Sequence, residues 1–256
     1  MARGETRKRA LLTRDLNLNV RSLDISATLA INERAKALRE EGRLVYHFGL
    51  GQSPFPVPES VVKQLQESAH EKAYLPVRGL LELRQAVADY HHVRHGIECS
   101  AQDVLIGPGS KELMFILQLV YYGDLVIPTP SWVSYAPQAQ IVGRPVTWVP
   151  TLWKNDLKLL ASDLDRVCQA DPSRPRVVIL NYPSNPSGAT YTLTELKALA
   201  RVARRYSVVL VSDEIYGELH HRGQHVSVAR FYPEGTIVSS GGMTPGGTGS
   251  EMNLTS

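Results

Sequence analysis

Two cysteines in 256 residues, Cys99 and Cys168, share no metal-type spacing and read as reduced thiols of an intracellular protein. No apolar run approaches the length of a membrane span, and the start lacks the apolar core of a secretory signal. The expectation is a soluble, cytoplasmic protein with no membrane partner. A large excess of one charge is missing too: the formal net charge is +3 and the pI near 8.8. The most basic run, Arg7-Lys8-Arg9 within Arg3 to Arg14, reads as a solvated arm, which is too little for nucleic-acid binding. There are no internal repeats, no P-loop spacing, and no lysine anywhere after Lys197.

What is present is ordinary globular material, 43% hydrophobic and 21% charged, enough for one large domain or two small ones. Leu23 to Arg39 carries apolar residues at helical spacing, with Gly42 placed to end the helix. "GLGQSPFPVPES", from Gly49, holds three prolines and two glycines and cannot be regular structure. Helices are expected over Val61–His70, Leu80–His95, Lys111–Tyr121 and Leu193–Tyr206, the last opened by a capping box at Thr192–Glu195. Between them lie short apolar runs: "DVLIGPG" from Asp103, "DLVIPTP" from Asp124, "RPVTWVP" from Arg144, Val177–Leu180, "SVVLVSDE" from Ser207, and "TIVSS" from Thr236. Continuous Val/Ile/Leu strands separated by helices mean an α/β fold, a mostly parallel sheet with both faces covered. The tail over 241–256 is rich in Gly, Thr and Ser without periodicity and reads as disordered.

Ligands of open α/β sheets sit outside the carboxyl ends of parallel strands, so the strand ends carry the functional question. Gly107-Pro108-Gly109-Ser110-Lys111 opens a helix, whose first free N–H groups and dipole suit an anion. Asp213 ends an apolar strand, where a carboxylate is costly unless paired, and Tyr216 follows one helical turn on. The plainer reading makes Asp213 an N-cap and Tyr216 a rim aromatic. "LNYPSNPSG" puts tight turns directly after Leu180, either a plain connection or a loop that holds something. Trp132 lies just beyond another strand end, for packing or for stacking.

The ordered motifs "YLPVRGLLELR", "GPGSKE", "PTPSWVSY", "NYPSNPSG" and "SDEIYGEL" resemble those of the class I/II aminotransferases of fold type I, which bind pyridoxal 5'-phosphate (PLP). The resemblance runs from about Ile25 to Ser240. It implies a fold type I large domain over 47–240, an N-terminal arm and small-domain helix over 1–46, and a homodimer acting on an amino acid and a 2-oxo acid. It further implies that Asn185 and Tyr216 bond the ring hydroxyl of the cofactor and that Asp213 pairs with its pyridine nitrogen. Trp132 stacks on the ring in the same scheme, and Gly109, Ser110 and Lys111 cradle the phosphate. Tyr74 matches a tyrosine that reaches the phosphate of the neighbouring subunit, and Ser240, or Ser239 beside it, falls near a further phosphate contact. Gly51 matches a backbone contact to the substrate carboxylate.

Two parts of the pattern are missing. The Schiff-base lysine of the family follows the "TIVSS" strand, where this chain reads Gly242-Met243-Thr244-Pro245. The arginine-bearing C-terminal small domain and the strand after the lysine loop have no counterpart either, which would leave two strand edges unpaired. The large domain is thus expected to be incomplete, as in a truncated or mis-spliced product or a partial reading frame. Three functions stay open: an aminotransferase by ancestry, a PLP-dependent lyase of the same fold, and a non-catalytic partner of a full-length homologue.

Overall fold

The computed structural model describes residues 17–21, 23, 27–46, 48, 51, 55–219, 223–241 and 250–254. The N-terminal basic run, most of the Gly49–Pro54 stretch and Gly242–Pro245 lie outside them. A seven-stranded sheet organises the chain: β1 (Val104–Gly107), β2 (Asp124–Thr129), β3 (Val146–Pro150), β4 (Arg176–Asn181), β5 (Val209–Asp213), β6 (Thr236–Gly241) and β7 (Ser250–Leu254), in the order β1-β7-β6-β5-β4-β2-β3. From β6 to β3 every neighbour is parallel, and β7 runs antiparallel to both β1 and β6.

The strand β7 is a correction to the expectation of a disordered tail and two unpaired edges. Its five residues fill the slot between β1 and β6, with Asn253 opposite both Val104 and Val238. "SEMNL" has no strong strand character of its own. Two flanking ladders of backbone donors and acceptors supply the specification instead, and that requirement overrides local propensity.

Both faces of the sheet are covered, which is why its central strands are continuously apolar. Leu125, Ile127, Val177, Ile179 and Val211 point to one face, against Leu113, Met114 and Leu117 of α4 (Ser110–Val120) and Ala139 of α5 (Tyr135–Ile141). Val126, Val178, Leu180 and Leu210 point to the other, against Leu164 and Cys168 of α6 (Ala161–Gln169) and Leu196, Leu199 and Ala203 of α7 (Leu193–Arg205). The period-two alternation along each strand divides these two cores. The short helices α5 and α6 were not expected from the sequence, although α6 carries Leu164 and Cys168 at helical spacing on its buried face.

The capping box is present as expected. Thr192 Oγ1 accepts from the Glu195 N–H at 3.3 Å, and Glu195 Oε2 accepts from the Thr192 N–H at 2.7 Å. Thr192→Ala is expected to lower stability by about 1 kcal/mol, read as a shifted urea midpoint with unchanged slope.

Three further helices precede or flank β1: α1 (Ala27–Glu40), α2 (Glu59–Ser68) and α3 (Leu81–His95). α3 packs Val87 and Ala88 on Val104 of β1, from the side opposite α4. α2 buries no residue, and Phe48, Leu65, Tyr74 and Val77 are all largely exposed. Among the described residues, no helix is long and apolar enough to cross a membrane.

Candidate cofactor site

Three strand ends meet in register: Asn181 of β4 lies opposite Asp213 of β5, which lies opposite Ser239 of β6. Side-chain alternation sends Asp213 and Ser239 toward the face covered by α4 and α5. Asp213 is 4% exposed. Its Oδ2 accepts from the Tyr135 hydroxyl at 2.5 Å, its Oδ1 only a long 3.4 Å bond from the Ile215 N–H. No ion-pair partner reaches it among the described residues. Burial pushes its pKa up to about 6, against the opposing pull of the Tyr135 bond. Burial and the adjacent carboxylate push the Tyr135 hydroxyl far up, so tyrosine is the donor of the pair.

A buried carboxylate with one oxygen so poorly satisfied suits a ligand that brings a cation to it. The surroundings match that need. Trp132 stands edge-on to Tyr135 at 5.3 Å between centroids, and Lys111 Nζ lies 5.6 Å from the Trp132 ring centroid. Gly109 caps α4 with φ +132°, a backbone region that favours glycine, and so turns the chain into the helix N-terminus. Gln138 of α5 donates to the Lys111 carbonyl at 2.7 Å and pins that first turn. Ser110 is the first helical residue, with its N–H among those left free for an anion.

The turn after β4 is ordered around Asn181. Its side chain donates to the Asp213 carbonyl at 2.9 Å and accepts from the Asn185 N–H at 2.7 Å, tying the two expected ring contacts together. Gly188, at φ +69°, donates to the Ser184 carbonyl at 2.7 Å and closes the loop. Asn181 and Tyr135 were missed by sequence reasoning. Tyr135 stands three residues after Trp132, a spacing that could have flagged it.

The structure brings Gly109–Lys111, Trp132, Asn185, Asp213 and Tyr216 to one end of the sheet. Tyr216 lies near enough to Tyr135 to add to the pressure on its hydroxyl. Ser240 is placed differently from its expected role. It follows Ser239 in the strand and so turns to the opposite face, where its Oγ lies 3.3 Å from His91 Nε2 of α3. Ser239 instead faces the Asp213 side, fully buried, with no partner for its hydroxyl among the described residues. Tyr74 is fully exposed in the single chain, and Gly51 has nothing within 4 Å of where a Cβ would stand.

The family model described as aminotransferase class I and II matches residues 45–244. The aspartate aminotransferase of Geobacillus stearothermophilus is 38% identical over 223 residues, 84% of this chain and 56% of the relative. The aspartate/prephenate aminotransferase of Thermus thermophilus is 33% identical over 233 residues, 89% of this chain and 60% of the relative. A solved structure of Thermus thermophilus aspartate aminotransferase with maleate superposes with a TM-score of 0.86 at 30% identity, covering 93% of this chain and 64% of that one. The chain therefore spans a little over half the length of these curated relatives.

Proposed function

The chain belongs to the class I and II aminotransferases, and from that premise we propose that it binds pyridoxal 5'-phosphate noncovalently at the carboxyl ends of β2, β4 and β5. The observation that carries this reading is the buried Asp213 carboxylate, which has no cation beside it among the described residues and is aimed by Tyr135. When bound, the cofactor supplies a protonated pyridine ring able to accept electron density from a substrate α-carbon. The residues do the holding. Asp213 keeps the ring nitrogen protonated, Tyr135 keeps Asp213 oriented, and Asn185 and Tyr216 donate to the ring hydroxyl. Trp132 covers one ring face and keeps water from it. Gly109, Ser110 and Lys111 receive the phosphate at the α4 N-terminus, with Ser239 the nearer of the two serines at the end of β6. The substrate class that goes with this family is an amino acid with a 2-oxo acid, aspartate being the amino donor named for the relatives.

A second reading is a non-catalytic partner of a full-length homologue. It is favoured by the lack of any lysine after Lys197 and by the exposed apolar side chains of Phe48, Leu65, Tyr74 and Val77. Size-exclusion chromatography with and without a full-length relative tests it: co-elution supports it, and independent elution counts against it.

Titration with PLP, followed by tryptophan fluorescence, tests the first reading. Saturable quenching at one equivalent is expected. Trp132→Ala should abolish most of the quench and weaken binding about fivefold through lost stacking. Unchanged quench and affinity in that variant would remove Trp132 from the site.

A further inference from the structure

On the face of the sheet opposite Asp213, the next residue along the chain is also a buried carboxylate. Glu214 is 5% exposed and accepts at both oxygens. Oε1 takes the hydroxyls of Ser212 at 2.6 Å, Ser227 at 2.6 Å and Tyr182 at 3.2 Å, and Oε2 lies 2.7 Å from His225 Nε2. Burial alone would raise this carboxyl, yet the His225 ring and the serine hydroxyls outweigh it and hold the pKa below the usual range. Glu214 is therefore an anion fastened to β5, to the residue after β4, and to the segment between β5 and β6. Its backbone N–H donates to the Ser239 carbonyl at 2.8 Å, while the Asp213 carbonyl accepts from Asn181 Nδ2 and the Tyr182 N–H.

We propose that Glu214 is a positioning residue for Asp213: clamped from the far face, it fixes the end of β5 so that the Asp213 carboxylate keeps a single aim at the cofactor. The proposal rests on the reading of Asp213 as the partner of the pyridine nitrogen. A side chain at the end of a strand is free to rotate with the peptide that follows it. Four bonds on Glu214 remove that freedom without touching the ligand side, and preorganised charge loses least on binding.

Clamp and charge have separable consequences. Glu214 is one of the groups that raise Asp213, after burial. The other titratable groups facing the pair are Tyr135 and Tyr216 on the Asp213 side, and Tyr182, His225, His95 and His91 around Glu214, with burial and Glu214 holding the Tyr182 hydroxyl protonated. Burial pushes His91 down to about 4, so that ring is neutral near pH 6, and burial lowers His95 in the same direction. Replacing Glu214 by the neutral isostere therefore removes a negative charge from beside Asp213, and Asp213 ionises at lower pH.

The test is PLP affinity of the full chain as a function of pH, for the parent, Glu214→Gln, Asp213→Asn and the double variant. Glu214→Gln should weaken binding at pH 8 about fivefold. It should also move the acid limb of the affinity profile down by about half a pH unit, whereas Ser227→Ala, which loosens the clamp and leaves the Glu214 charge in place, should not. In the Asp213→Asn background the same substitution should have no further effect on affinity. Should Glu214→Gln lose its cooperative melt, Ser227→Ala removes one bond of the clamp and should weaken binding in the same direction with the acid limb unmoved. A folded Glu214→Gln with parental affinity and limb overturns the proposal, as does equal weakening in both backgrounds. Unchanged affinity in Asp213→Asn alone overturns the reading of Asp213 itself, and the role of Glu214 with it. Loss in Asp213→Asn without any effect of Glu214→Gln or Ser227→Ala overturns only the clamp.

Discussion

Asp213→Ala is expected to weaken PLP binding by about a hundredfold, and Asp213→Asn to weaken it while raising the melting temperature of the cofactor-free chain. The first effect is the loss of a buried charge partner, a change of about 3 kcal/mol. The second follows from the cost of keeping that charge buried. Unfolded, Asp213 releases its proton near 3.8; folded, it holds it up to about 6. The folded chain is thus favoured by protonation, with the contribution complete below about pH 4 and lost as pH rises through 6. At pH 7.5 the ionised carboxylate costs the cofactor-free fold up to about 3 kcal/mol. Asparagine removes the charge and can still accept the Tyr135 hydroxyl, so its melting temperature should rise by roughly 5 °C or more. Binding by the parent should fall as pH drops through about 6, where Asp213 takes up its proton. Thermal melts and PLP titrations on the same samples check both halves. Equal affinity for the parent and Asp213→Ala, or a lower melting temperature for Asp213→Asn at neutral pH, would remove Asp213 from the role assigned to it.

The chain as written is expected to show no transamination above background with any amino acid. No lysine occurs after Lys197, and Lys197 sits in α7, within the helix rather than at the strand ends. The position at which the family places its lysine, near Thr244, lies outside the described residues. Without an amine beside the substrate α-carbon there is no group to carry its proton, and positioned proton transfer is worth about 10²–10⁴-fold. The resemblance assigns the anchoring of the substrate carboxylate, and with it the orientation of the Cα–H bond, to an arginine of the C-terminal small domain, beyond the part of the family matched here. A serine-lysine pair introduced near Thr244 should not restore turnover by itself. The same pair together with an appended C-terminal region from a relative should. Coupled assays across a panel of amino acids with a 2-oxo acid check this, and steady turnover by the purified 256-residue chain would contradict it.

The parts of the fold legible in the sequence are those whose side chains announce a period. β2, β4 and β5 are continuous apolar runs because both faces are covered, and Thr192 and Glu195 signal the start of α7 through their own hydrogen bonds. β7 was illegible because its place depends on the bare ladders of β1 and β6 rather than on its own residues. In the site, Asp213 stood out as a carboxylate at the end of an apolar strand, where it is costly, while Asn185 was marked only by the resemblance of "NPSG" to the family motif. Tyr135 and Asn181 did not, since an aromatic in a short helix and an asparagine at a strand end are unremarkable until the tertiary fold brings them to Asp213. The sequence left Ser239 and Ser240 as alternatives for one role. In a strand that single step reverses the face, and only the contact with His91 reveals it.

Retention of a cofactor pocket without covalent attachment is tested most directly by loading the chain with PLP, recording its absorbance, and then dividing the sample between exhaustive dialysis and borohydride reduction followed by peptide mapping. Saturable binding at one equivalent, complete loss on dialysis, and no lysine modified in stoichiometric amount are the expected results. Cofactor that survives dialysis, with a single lysine carrying the reduced pyridoxyl group, would contradict the claim, as would the absence of any saturable binding.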